Sequence, residues 1–246
     1  MPDPYWLVPA FFLTALTYAA AGFGGGSTYL ALLALTALQV GELRFTALLC
    51  NLVVTGGTCL IAWREQLLVR SMLWPLVITS VPLAYLGGLI ELPRRYFLTA
   101  LALVLLTAAL FMWRQGGVAK QSATPSHRGM SLVGGLLGLV SGILGIGGGI
   151  LLSPWLFLRE RITARHIAAT TAFFIFVNSL AGLAGQLTAG QRPVWGLALP
   201  LMFTVFIGGQ LGSRLALRRL PAFVIRRLAA TLILLVALRL LWQQYL

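Results

Sequence analysis

The chain has 246 residues, 59% of them hydrophobic and only 9% charged, with a mean hydropathy of +0.92 and a net charge of +13. A water-soluble domain carries about 25% charged residues, so the polar surface is too small to cover a globule in water and the composition is that of a protein embedded in lipid. The 18 Lys and Arg lie almost wholly between apolar runs, where they set orientation and meet anionic headgroups; no soluble basic domain is left to bind nucleic acid.

The apolar runs predict an all-α membrane protein with about eight transmembrane helices, since about 20 apolar residues cross a hydrocarbon layer roughly 30 Å thick. The N-terminus has Asp3 and three prolines (Pro2, Pro4, Pro9) in place of a basic stretch, and lacks a small-residue cleavage site. It therefore reads as a retained span and not a removed signal. The first run, Tyr5–Leu38, has 34 residues and would be about 51 Å long as one helix. It encloses the glycine cluster Gly22-Phe23-Gly24-Gly25-Gly26. The second run carries Asn51, with Thr55 and Thr58 on the same helical face. Cys50 and Cys59 share this run at a separation of about 13.5 Å, too far for a disulfide. Ser71–Ile90 is the third run, and the fourth opens at Leu92-Pro93 and ends at Trp113.

The polar stretch Arg114–Arg128 follows, rich in Gly, Ser, Thr and Pro, and reads as a surface linker holding His127. The fifth run, Gly129–Leu158, is again too long for one crossing and contains Gly145-Ile146-Gly147-Gly148-Gly149, with Pro154 beyond. The sixth places Asn178 on one face with Gly182 and Gly185, and Thr171 one heptad earlier. Trp195–Ser213 is the seventh, and the eighth opens at Leu220-Pro221 and reaches Trp242.

These landmarks repeat. The glycine clusters recur at an offset of 123, the asparagines at 127, the Leu-Pro pairs at 128 and the tryptophans at 129. Four matches in order, at equivalent places, indicate a duplication: a first four-span repeat over 1–113, a polar linker over 114–129 and a second four-span repeat over 130–246. An even number of spans per half would make both halves enter the membrane the same way. With the N-terminus outside, the connectors then divide the cations eleven inside to seven outside, so positive-inside bias puts both termini on the periplasmic side.

Three glycines in a row are weak helix formers, so the first and fifth spans should break at Gly24–Gly26 and Gly147–Gly149, each continuing as a second short helix or a steep bend. Backbone freed at membrane depth is tolerated where it lines a cavity, and the open N–H groups beginning the next half-helix make an anion site. Paired broken helices in two halves are a recurring transporter arrangement. The stripe Gly134, Gly138, Gly142 has instead the small-xxx-small spacing of helix packing. Asn51 and Asn178 should face the bundle interior, either binding substrate or holding helices together. Thr171 adds a hydroxyl one heptad before Asn178, and Ser27, Thr28 and Ser153 are weaker hydroxyl candidates beside the breaks. The candidate substrate-binding set is thus Gly24, Gly25, Gly26, Ser27, Asn51, Gly147, Gly148, Gly149, Thr171 and Asn178. No acidic residue falls inside a span, and no metal, phosphate-loop or nucleophile motif occurs, so no catalytic residue, metal or cofactor is expected.

At these residues the chain resembles the TauE/SafE family of membrane permeases, the sulfite-exporter or toluene-sulfonate-uptake family. The resemblance covers nearly the whole chain and rests on the two glycine motifs, Pro154, the four-span halves and the polar linker. The second motif, Gly142–Gly149, is the more specific; the first lacks a proline matching Pro154. The resemblance implies transport of a small sulfur-containing or organic anion, such as sulfite, a sulfonate or sulfoacetate, across a bacterial inner membrane. The expected function is a multi-pass secondary transporter working by alternating access in the lipid bilayer. A passive anion channel, a membrane-embedded enzyme and an assembly factor are the alternatives, and the sequence leaves homo-oligomer formation open.

Overall fold

The computed structural model describes residues 4–20, 24–114, 126–157, 163–216 and 222–245. Their regular structure is helical throughout: after a 3-10 turn at Pro4–Trp6 come α1 (Leu7–Ala20), α2 (Gly26–Ala34), α3 (Val40–Arg64), α4 (Arg70–Leu89), α5 (Arg94–Arg114), α6 (His127–Leu144), α7 (Gly149–Phe157), α8 (Ala164–Thr188), α9 (Trp195–Ala216) and α10 (Ala222–Tyr245). Among the described residues, α3, α4, α5, α6, α8 and α9 are each long and apolar enough to cross a membrane. Large apolar side chains such as Ile78, Leu132, Phe203 and Trp242 are exposed, as lipid-facing residues are.

Capping fixes several helix starts. The Gln39 N–H donates to the Glu42 carboxylate at the head of α3, and Ser126 and Thr163 accept N–H groups from Gly129 and His166 at the heads of α6 and α8. His127, expected in the linker, is the first residue of α6.

Cross-bundle contacts fix the helix directions. α3 and α8 are antiparallel: Arg165 pairs with Glu65 at one end, and at the other a Cβ built on Gly41 would run into Gln191, which itself bonds Glu91. These ends name two faces of the bundle, the Arg165 face and the Gln191 face. α4 runs with α8 toward the Gln191 face, since Tyr85 bonds Thr188 and Gly88 abuts Gly182 and Gly185. α6 lies parallel to α4. A Cβ at Gly134, Gly138 or Gly142 would sit 2.4, 2.3 or 2.2 Å from the carbonyl oxygen of Leu76, Ser80 or Ala84. The stripe is a packing seam, as its spacing indicated.

The two interrupted runs do not continue across the bundle; the chain turns back. α7 returns toward the Arg165 face, where Leu152 and Leu156 join Leu76, Met130 and Ile167 in one apolar cluster. α9 leaves the Gln191 face and α1 runs beside it, with Gly208 on Phe12 and Gly212 on Leu16. α2 then returns to the Gln191 face, where Arg94 at the head of α5 donates to the Thr36 carbonyl. Tyr18 of α1 and Thr28 of α2 bond across this hairpin. Each hairpin starts and finishes on one face, so residues 7–114 make an odd number of full crossings. The expectation that both halves enter from the same side is therefore corrected: the second begins at the face opposite the first. The connector from Ala216 to Ala222 is at most about 22 Å when fully extended, too short to recross the bilayer. α10 therefore starts at the Arg165 face, and the chain returns to the Gln191 face.

Candidate functional site around two chain reversals

Both predicted breaks are present and have closely similar local geometry. Gly25 and Gly148 have φ of 76° and 75°, and each stands immediately before a nine-residue helix, α2 or α7. The Gly25 carbonyl accepts the N–H groups of Thr28 and Tyr29, and that of Gly148 accepts those of Leu151 and Leu152. Gly145 and Gly147 also hold positive φ, 75° and 71°, a region closed to most side chains, which is why this turn is nearly all glycine. Gly22 and Phe23 of the first motif lie outside the described residues.

With those bonds made, the backbone N–H groups of Gly26 and Ser27, and of Gly149 and Ile150, have no partner among the described residues. They are the open donors every helix start leaves unless capped, and no side chain caps Gly25. Both short helices therefore present their positive ends inside the bundle.

The reversals meet at the middle of the α3–α8 crossing. Asn51 and Ile175 each lie eleven residues from the start of a 25-residue helix, at mid-depth by the helical rise. A Cβ at Gly24 would sit 3.1 Å from Asn51 Oδ1, one at Gly26 2.1 Å from Asn51 Nδ2, and one at Gly147 2.9 Å from that same nitrogen. Ile175 also touches both: its Cγ2 lies 3.4 Å from the Gly24 position and 2.8 Å from that of Gly147. Asn51 is fully buried, and both its amide atoms lack a partner among the described residues. A buried carboxamide without partners costs roughly 1–3 kcal/mol or more, so Asn51 is an unmet hydrogen-bonding group beside the two helix starts.

The remaining predicted residues fall around this point unequally. Ser27 is buried in the first turn of α2. Thr171 is buried with an unpartnered hydroxyl, its methyl 3.1 Å from the Gly149 position. Asn178 is buried, but its Nδ2 donates to the Phe174 carbonyl of its own helix, leaving Oδ1 open; it does not span both reversals as Asn51 does. Thr28 is engaged with Tyr18 at 2.8 Å, and Ser153 is buried in α7.

The sequence reading missed three participants. Ser179 presents its hydroxyl oxygen 3.2 Å from the Gly147 position, and Ser141 packs against Gly148, both hydroxyls buried and unpartnered. Each adjoins a flagged residue, which was the available signal. The third is Arg44, assigned from sequence to a connector. It is buried in α3, and its guanidinium donates to the carbonyls of Gly87, Gly88, Ile90 and Gly142. It thereby caps the ends of α4 and α6, where carbonyls lack helical partners.

Comparison with known proteins gives the chain's family. The family model described as sulfite exporter TauE/SafE matches residues 7–240. The chain is 34% identical, over 96% of its own length and 97% of the relative's, to the "probable membrane transporter protein y4hK" of Sinorhizobium fredii. No solved structure gives a significant match. A match that runs from α1 into α10 and takes in both reversals makes this chain a membrane transporter of the TauE/SafE sulfite exporter family.

Proposed function

We propose that the protein is a secondary transporter for a small anion, a sulfur oxyanion or organosulfonate such as sulfite or sulfoacetate, and that the anion binds between the two chain reversals. The observation that carries this reading is the meeting of two open helix N-termini at one buried carboxamide, Asn51, with no partner of its own. The N–H groups of Gly26, Ser27, Gly149 and Ile150 supply neutral donors aligned with two helix dipoles, Asn51 contributes its amide, and Ser27, Thr171, Ser141 and Ser179 add hydroxyls. Neutral donors suit a substrate that must also leave, because no fixed cation holds it.

The two halves act as repeats of opposite orientation, each a reversing hairpin followed by three crossings. Reciprocal packing supports this: α6 lies on α4 as α1 lies on α9, and α4 on α8 as α9 on α3. The matching φ of Gly25 and Gly148 supports it too. Inverted repeats around a midplane site suit alternating access by rocking one half against the other. Orientation follows from charge. Among the described residues, Arg64, Arg70, Arg114, Arg128, Arg165, Arg214, Arg226 and Arg227 belong to the Arg165 face. Only Arg44, Arg94, Arg95, Arg192 and Arg239 belong to the other. The excess of cations on the Arg165 face supports a cytoplasmic assignment for it in a bacterial inner-membrane protein, with both chain ends periplasmic.

Counterflow in proteoliposomes tests the proposal. Labelled sulfite should enter faster when unlabelled sulfite is trapped inside, a trans-stimulation that a passive channel does not give. Gly148→Leu should abolish it while the protein still inserts; undiminished counterflow in that variant would remove the site assignment.

A further inference from the structure

The membrane-facing surface carries a second feature, remote from the reversals. Along the α4–α6 seam runs an open groove of about 570 Å³, with Thr79 and Leu83 on one wall and Ser131, Leu132, Gly135, Leu136 and Leu139 on the other. Leu83 packs directly over Gly135, where a Cβ would meet Leu83 Cδ1 at 2.9 Å, so a large side chain at 135 would displace Leu83 and fill the groove. Leu132 and Leu136 are 68% and 58% exposed, so the groove opens outward. Its polar end holds His127 and Arg128, both exposed. Ser126 takes the Gly129 N–H, leaving the first N–H groups of α6 at that end as well.

We infer that this groove binds one anionic phospholipid, its phosphate at Arg128 and His127 and an acyl chain along Leu132, Gly135, Leu136 and Leu139. Two measures match this ligand. The groove follows α6 from Arg128 to Leu139, eleven residues or about 16 Å of axis, about half of a 30 Å hydrocarbon core and so the depth of one leaflet. Its charged end belongs to the Arg165 face, which carries eight of the thirteen described Lys and Arg. On the cytoplasmic assignment of that face, which rests on the orientation proposed above, the adjoining leaflet is the one with anionic headgroups. Thr79 adds no polar demand within the groove, because its hydroxyl donates to the Ser131 carbonyl at 2.7 Å. A second copy's helix would fit the apolar walls and leave the Arg128 guanidinium without an anion.

Native mass spectrometry of the intact purified protein, mixed with phosphatidylglycerol or phosphatidylcholine of identical acyl chains, tests the inference. The wild type should retain phosphatidylglycerol preferentially. Arg128→Gln should cut that preference about five-fold, the equivalent of ~1 kcal/mol per basic residue near the surface, and Gly135→Phe should reduce retention of both lipids by filling the groove. Equal retention of the two lipids by the wild type would overturn it. So would an undiminished preference in Arg128→Gln, or efficient disulfide cross-linking of Leu136→Cys between two copies in membranes. Lipid retention does not depend on anion transport, so failure here would leave the transport proposal standing.

Discussion

The guanidinium of Arg44 donates to the carbonyl of Gly142 at 2.7 Å, tying the start of α3 to the end of α6 just ahead of the second reversal. The Gly145 Cβ position is 3.0 Å from Arg44 Cβ, so side chain and turn are also in contact. Arg44→Ala would leave several buried carbonyls without a donor, at a cost of about 3 kcal/mol or more, and should lower the melting temperature of the purified protein by roughly 6–12 °C. Arg44→Lys, keeping the charge and losing the fork, should recover part of that.

Glycines on helices divide by what lies over them. At Gly138 an added Cβ would be 2.3 Å from a backbone oxygen of α4, whereas at Gly196 nothing lies within 4 Å. Gly138→Ala should therefore destabilise the α4–α6 seam by several kcal/mol. Gly196→Ala should be neutral or stabilising by up to about 1 kcal/mol, the gain in helix propensity. Thermal unfolding of the two variants side by side checks the contrast.

Chain reversal changes topology in a measurable way. Ser126 heads α6 at the Arg165 face, and Arg192 follows Gln191 at the other. In a background with Cys50 and Cys59 replaced, Arg192→Cys should react with an impermeant maleimide in intact cells, and Ser126→Cys only after permeabilisation. Four full crossings per half would put both residues on the same side, so labelling of both in intact cells contradicts the reversals.

The two asparagines should not be equivalent. Asn51 meets both reversals, while Asn178 has its donor turned onto Phe174. Asn51→Ala should reduce anion counterflow at least ten-fold, the effect of losing a substrate hydrogen bond at a site built for it. Asn178→Ala should cost only a few-fold. Equal losses would point to a shared structural role.

Much of this site could be read from residue order. Consecutive glycines in an over-long apolar run forecast both interruptions, and a carboxamide within a span forecast the burial of Asn51. The direction of the chain after each interruption could not be read, because a kinked span and a hairpin have the same apolar length and the same glycines. Only Leu152 packing back on Met130, and Thr36 meeting Arg94, distinguish them. Arg44 escaped notice for a related reason: its acceptors are 43 to 98 residues away, and an arginine near the end of an apolar run looks like any connector charge. The asymmetry of Asn51 and Asn178 was also hidden, since the repeat predicts equivalent roles and only side-chain placement separates them.

The anion's position is the central claim, and a heavier analogue of sulfite reports it directly. Anomalous diffraction from crystals grown with selenite should give one selenium peak between the reversals, with oxygens about 3 Å from the N–H groups of Gly26, Ser27, Gly149 or Ile150 and from the Asn51 amide. Selenium density at another place in the bundle, with those amides still unoccupied, would contradict the account.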